Sequence, residues 1–267
     1  MSCLHLRNLR LPGQSGLHEL LIEDGYFVSQ FSGRQPISQR DLAGQLVLPG
    51  LIETHIHLDK ACIMSRCCLQ HGTLAEAVEQ TRQAKAGFSE DDIYQRGAKV
   101  LEQAIVQGTT HMRTHVEIDP QIGLTGLRAV QRLQADYAWA ISLEICVFPQ
   151  EGMLNNPGTE ALLCQALESG ADLLGGCPYT DSDPQGQIRR LFELAVHYDC
   201  DLDFHLDFDL NPEGMTLGCV IEQTRLHGWQ GRVAVGHATK LSALPRTALD
   251  AMANELAEAG VAVTCLP

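Results

Sequence analysis

The sequence predicts an α/β protein, a (β/α)8-type TIM barrel that is incomplete at seven strands, with a small N-terminal β unit. Three observations carry this. Short apolar runs alternate with helical patterns over most of the chain, the rhythm of a parallel sheet with helices outside it. Seven strands at this spacing suit a barrel more than an open sheet. No G-x-G-x-x-G follows a strand, which disfavours the nucleotide-binding form of the competing doubly wound sheet.

The β unit occupies residues 1–47. Apolar runs on either side of Asp24-Gly25 predict a hairpin, because that dipeptide suits the two left-handed positions of a tight turn. The barrel occupies 48–267, with the strand leading into it beginning near 45. Strands are expected at 45–57, 109–118, 138–148, 172–177, 202–207, 232–237 and 261–266. Helices are expected at 73–86, 90–106, 124–134, 159–168, 185–198, 216–226 and 246–258. Ser89, followed by Glu90, Asp91 and Asp92, reads as a capping residue with carboxylates in the first turn. Gly108, Gly170, Gly228 and Gly260 fall just past helix ends, where a left-handed residue stops the helix. The sequence stops at Pro267 after the seventh strand, so two open sheet edges are expected.

Composition narrows the function. With 33 acidic and 19 basic residues the formal charge of the 267-residue chain is -14, which argues against nucleic acid as a partner. No run of 18 apolar residues exists and no membrane span is expected. The N-terminus lacks a signal-peptide core, and the ten cysteines form no CxxC pair, so a cytoplasmic location with reduced thiols is expected.

In such a barrel the reactive groups lie at the C-terminal ends of strands. The first strand ends in His55-Ile-His57, two residues apart and therefore on one face. Two histidines on a solvated strand would look the same. The fifth strand ends in Phe204-His205 and the sixth in Gly236-His237, and each alone reads as a satisfied core histidine. Together the histidines of strands one, five and six converge, which suits a divalent metal in an open site. On the second strand His111, Arg113, His115 and Glu117 share a face, as a polar network lining the barrel or as a substrate contact. Gln150 follows the third strand, where its amide can both donate and accept. The fourth strand ends in Cys177-Pro178-Tyr179, with no lysine to bridge a second metal.

These residues carry a resemblance. Leu48-Pro49-Gly50 leading to His55-x-His57-Leu58-Asp59 is similar to the signature of the metal-dependent amidohydrolases. The stretches from Gly108 to Val116, Phe148 to Gly152 and Arg232 to His237 resemble the bacterial cytosine deaminase branch, which includes N-isopropylammelide amidohydrolase. The resemblance covers about Leu20 to Pro267. It implies hydrolytic loss of an amine from a small nitrogen heterocycle. It implies one Zn or Fe ion with His55, His57 and His205 as its ligands, His237 as the residue acting on the water, and Gln150 as a substrate contact. Two departures follow. Phe208 stands where cytosine deaminases carry a glutamate, with Asp207 and Asp209 on either side. The family's strand-eight aspartate has no counterpart, so weak metal binding and little turnover are expected of the chain as given. The alternatives to an active hydrolase are a non-catalytic barrel remnant serving as a subunit or binding module, and a homo-oligomer in which another copy supplies the missing strand.

Overall fold

A computed structural model describes residues 3–33, 38–68 and 70–266; Pro267, the last residue of the predicted barrel, lies outside them. The chain divides into two compact units, Met1–Gly50 and Leu51–Pro267.

The first unit is one four-stranded sheet in the order β3-β2-β1-β4. Its strands are β1 (Cys3–Leu9), β2 (His18–Glu23), β3 (Tyr26–Val28) and β4 (Ser38–Asp41). β2 and β3 form the expected hairpin, with Asp24 and Gly25 both at positive φ, 52° and 88°. That pair of left-handed residues matches the turn to the twist of the strands.

The second unit is a seven-stranded parallel sheet in chain order, nearly closed into a barrel. Its strands are β5 (Leu51–Ile56), β6 (Thr109–Glu117), β7 (Ser142–Phe148), β8 (Leu173–Gly176), β9 (Asp201–Leu206), β10 (Val233–His237) and β11 (Val261–Thr264). Among the described residues β5 and β11 each pair on one side only. α1 (Leu74–Lys85) and α2 (Glu90–Val106) both lie between β5 and β6. One helix follows each later crossover: α3 (Thr125–Tyr137), α4 (Thr159–Glu168), α5 (Pro184–Tyr198), α6 (Leu217–His227) and α7 (Arg246–Ala259). Ser89 caps α2 by accepting from Asp92 N at 3.2 Å. Among the described residues no helix is long and apolar enough to cross a membrane.

Strand alternation decides what faces inward. Leu202, Phe204 and Leu206 of β9 are buried on the helix side, where Phe204 stacks on Phe192 of α5 with ring centroids 5.9 Å apart. Such a pair adds about 0.5–1.5 kcal/mol beyond its burial. Asp203 and His205 take the opposite face. On β6, Val116 abuts α3 beside Gly126, which leaves Arg113, His115 and Glu117 for the interior. Gly175 of β8 is required by close approach. A Cβ there would lie 2.7 Å from the Asp203 carbonyl oxygen and 2.9 Å from both Cys146 Sγ and Phe148 Cβ. Gly175→Ala is therefore expected to destabilise the barrel by about 1–3 kcal/mol, the usual penalty of overpacking. Urea unfolding measures it, and an unchanged midpoint would contradict the packing described.

Candidate metal centre

Four strands bring five imidazoles together. His55 and His57 come from the end of β5, His115 from β6, His205 from β9 and His237 from β10. The ring centroids of His55 and His205 are 4.6 Å apart, those of His57 and His205 5.1 Å, and those of His55 and His57 5.4 Å. His237 lies 5.3 Å from His55 and 5.5 Å from His205. His237 has a left-handed backbone, with φ at 67°.

The hydrogen bonds fix one tautomer. His57 Nδ1 lies 3.2 Å from the His115 carbonyl oxygen, which can only accept, so Nδ1 carries the proton. Its Nε2 then offers a lone pair, and this atom is 3.1 Å from His205 Nε2. Two imidazole nitrogens that close suit a shared cation, since ligands at about 2.1 Å in a tetrahedron are roughly 3.4 Å apart. Both ring nitrogens of His55, both of His115 and Nδ1 of His205 are buried without a hydrogen-bond partner, and His55, His115 and His205 each bring a nitrogen within 4.8 Å of the others. Unpartnered buried polar atoms are costly, and a divalent ion would satisfy them. The donor set therefore fits such an ion.

Burial and neighbouring charges keep His55, His57, His205 and His237 neutral. Burial, and then His115, pull His55 down to about 3. Burial, and then Lys60, hold His57 well below its ordinary value, and burial followed by His57 does the same for His205. His237 falls to about 4 through burial and then His115. Neutral imidazole is the form that binds metal.

A cavity of about 220 Å³ opens onto the centre. His57, His205 and His237 reach it, with Lys60, Gln150, Tyr179 and Phe208 around them. Gln150 is where the sequence placed it; its Oε1 accepts from Lys60 Nζ at 3.3 Å and its Nε2 meets Cys177 Sγ at 3.3 Å. Phe208 sets its ring edge-on to His237, centroids 4.3 Å apart. The two flanking aspartates are otherwise engaged. Asp207 is buried at the start of α6, accepting from Thr216 N at 2.9 Å and Leu217 N at 3.1 Å. Asp209 is exposed and 3.4 Å from Lys240.

Sequence reasoning marked Glu117 but missed the lysines that meet it beside this cavity. Lys85, at the end of α1, is only 3% exposed and reaches Glu117 at 2.9 Å, Asp119 at 2.6 Å and Glu151 at 2.6 Å. Lys60 meets the other oxygen of Glu117 at 2.5 Å. Burial alone would raise the Glu117 carboxyl, but Lys60 and Lys85 outweigh it and hold it at about 2. Arg96 of α2 anchors the backbone around Lys60 by donating to the carbonyls of Asp59 at 3.0 Å and Ala61 at 2.6 Å. Lys60 stood beside the histidine motif and could have been found from that proximity. Lys85 carries no such signal.

A parallel barrel with buried, unpartnered imidazoles at the C-terminal ends of its strands has a donor set that suits a divalent ion. No protein-family model matches the chain. The chain is 33% identical to the N-isopropylammelide isopropylaminohydrolase of Burkholderia multivorans ATCC 17616, with a TM-score of 0.86 over 98% of this chain and 68% of that one. It is 27% identical to the 5-methylcytosine deaminase of Klebsiella pneumoniae, with a TM-score of 0.88 over 97% of this chain and 64% of that one. Among curated proteins, the N-isopropylammelide isopropyl amidohydrolase of Pseudomonas sp. (strain ADP) is 26% identical over 84% of this chain. The chain spans 58% of that relative's length. The chain belongs to the amidohydrolase superfamily.

Proposed function

We propose that this chain provides the metal-binding barrel of an enzyme that hydrolyses the bond between an exocyclic amine and a carbon of a nitrogen heterocycle. The observation that carries it is the set of buried imidazole nitrogens left without partners at the strand ends. His55, His57 and His205 would hold one divalent ion, Zn or Fe. Such an ion, when bound, supplies Lewis acidity and makes a water nucleophilic near neutral pH. The names of the relatives support a planar heterocycle as substrate.

The remaining roles fall to the chain's own side chains. His237, neutral and at the cavity wall, accepts a proton from the attacking water and returns it toward the departing amine. In the balanced reaction the water oxygen bonds to the ring carbon and the C–N bond breaks. One hydrogen of the water stays with the ring product and one leaves on the amine. Gln150 hydrogen-bonds the edge of the ring, and its contact with Lys60 fixes which way its amide faces. Phe208 and Tyr179 close the cavity with apolar ring faces, centroids 6.2 Å apart, which excludes water and suits a flat substrate.

The test joins metal content to turnover. About one Zn or Fe per chain by elemental analysis, lost in His55→Ala, together with amine release from amino- or alkylamino-substituted pyrimidines, triazines or pterins, is the expected result. A protein that binds no metal and releases no amine from any of these would overturn the reading.

A further inference from the structure

One imidazole of the cluster, His115, lies close enough to His55 and His205 to share an ion with them but belongs to no strand-end pair of the proposed ligand set. His115 is fully buried on β6 and touches all three of the residues proposed as ligands. Its ring lies 4.2 Å from that of His55, tilted by 31°. It meets His205 edge to face at 4.8 Å. Its carbonyl accepts the Nδ1 proton of His57 at 3.2 Å.

Behind His115 runs an ionic chain. Asp203, 1% exposed, places Oδ2 3.5 Å from His115 Nε2 and 2.8 Å from Arg113 Nη1. Arg113 Nε is held in turn by Glu144 at 2.9 Å. Three strands therefore contribute to a support that ends against the candidate ligands: β7 gives Glu144, β6 gives Arg113 and β9 gives Asp203. Burying a carboxylate and an imidazole here is expensive. A role of filling space alone would be met more cheaply by an apolar ring, as Phe148 does nearby, stacked on His205 at 4.4 Å.

We propose that His115 is a positioning residue of the metal centre, set between Asp203 and His55, that holds the ring of His55 and, through its carbonyl, that of His57, and thereby sets the affinity for the ion. The proposal rests on the reading that His55, His57 and His205 hold a metal. Loss of an outer support of this kind lowers metal affinity by about 10–100-fold.

Cobalt(II) is the probe, titrated into the purified full chain. Affinity is read by competition with a chelator, and ligand geometry by the visible absorption bands. His115→Phe keeps a flat ring and the backbone carbonyl but loses the contact with Asp203. It is expected to bind cobalt about 10–100-fold more weakly, with shifted bands and an unchanged unfolding midpoint in the metal-free state. Asp203→Asn is expected to move affinity and bands in the same direction, and it carries the test if His115→Phe does not fold. Wild-type affinity and bands in both variants would overturn the proposal. A wild-type chain that binds no cobalt, or a His55→Ala chain that binds it as tightly as wild type, would overturn the metal reading and the positioning role with it.

Discussion

Lys85→Met is expected to cost about 3–5 kcal/mol of stability, the penalty for breaking a buried ionic group by removing one partner. The substitution keeps the length of the side chain and removes the ammonium that meets Glu117, Asp119 and Glu151. Three carboxylates would then face one another, two of them almost wholly buried. Acid should reveal the same group. Glu117 stands at about 2 in the folded chain against an ordinary 4.5. Its folded value is depressed, so its stabilisation is complete above the ordinary value and is lost as the pH falls from there through about 2. Wild-type stability should fall across that window, and Lys85→Met should fall less, because one of the two ammonium groups that depress Glu117 is gone. Chemical denaturation at a series of pH values measures both effects. A variant within about 1 kcal/mol of wild type, the range of an exposed ion pair, would show that the cluster is better solvated than its burial indicates.

His205→Ala is expected to abolish stoichiometric metal binding. Zinc affinities of about 10–16 kcal/mol in structural four-donor sites correspond to roughly 2.5–4 kcal/mol for each donor, or on the order of 10²- to 10³-fold in affinity. His205 also completes the contact with His57 Nε2 at 3.1 Å, so its removal leaves that nitrogen without its neighbour. Chelator competition on the purified variant is the measurement. Retention of one tightly held ion would take His205 out of the proposed ligand set. His237→Ala offers the contrast: turnover should fall while metal content stays near wild type, because His237 is proposed to move a proton rather than hold the ion.

The barrel was legible because its two periodicities do not overlap. The apolar runs became β6 to β11, strands of four to nine residues, and the helical stretches became α1 to α7. Gly108, Gly170, Gly228 and Gly260 all have positive φ, as their places after helices predicted. The convergence of His55, His57, His205 and His237 was legible for the same reason, since a parallel strand carries its last inward residue to a common rim. The partners of those residues were not. β6 shows Arg113, His115 and Glu117 on one face, but nothing along the strand says that His115 sits behind His55 while Glu117 faces Lys60. That difference comes from Asp203 and Lys60, which lie on other elements. Lys85 reads as an ordinary lysine in the last turn of a helix, and its three carboxylates come from residues 32 to 66 positions further along. Asp207 looked like a flank of the strand-five histidine, and only the fold shows it bonded to the first turn of α6.

The ladder order gives the proposed centre a mechanical side. His55 belongs to β5 and His57 follows its last residue; β5 has one neighbour among the described residues, and its register with that neighbour shifts twice. His205 belongs to β9, separated from β5 in the ladder by β6, β7 and β8. An ion shared by these residues would be a clasp across the barrel, tying a weakly paired border strand to a well-paired inner one. Whatever loosens that border would then loosen the grip on the ion, and the ion would in turn hold the border in register.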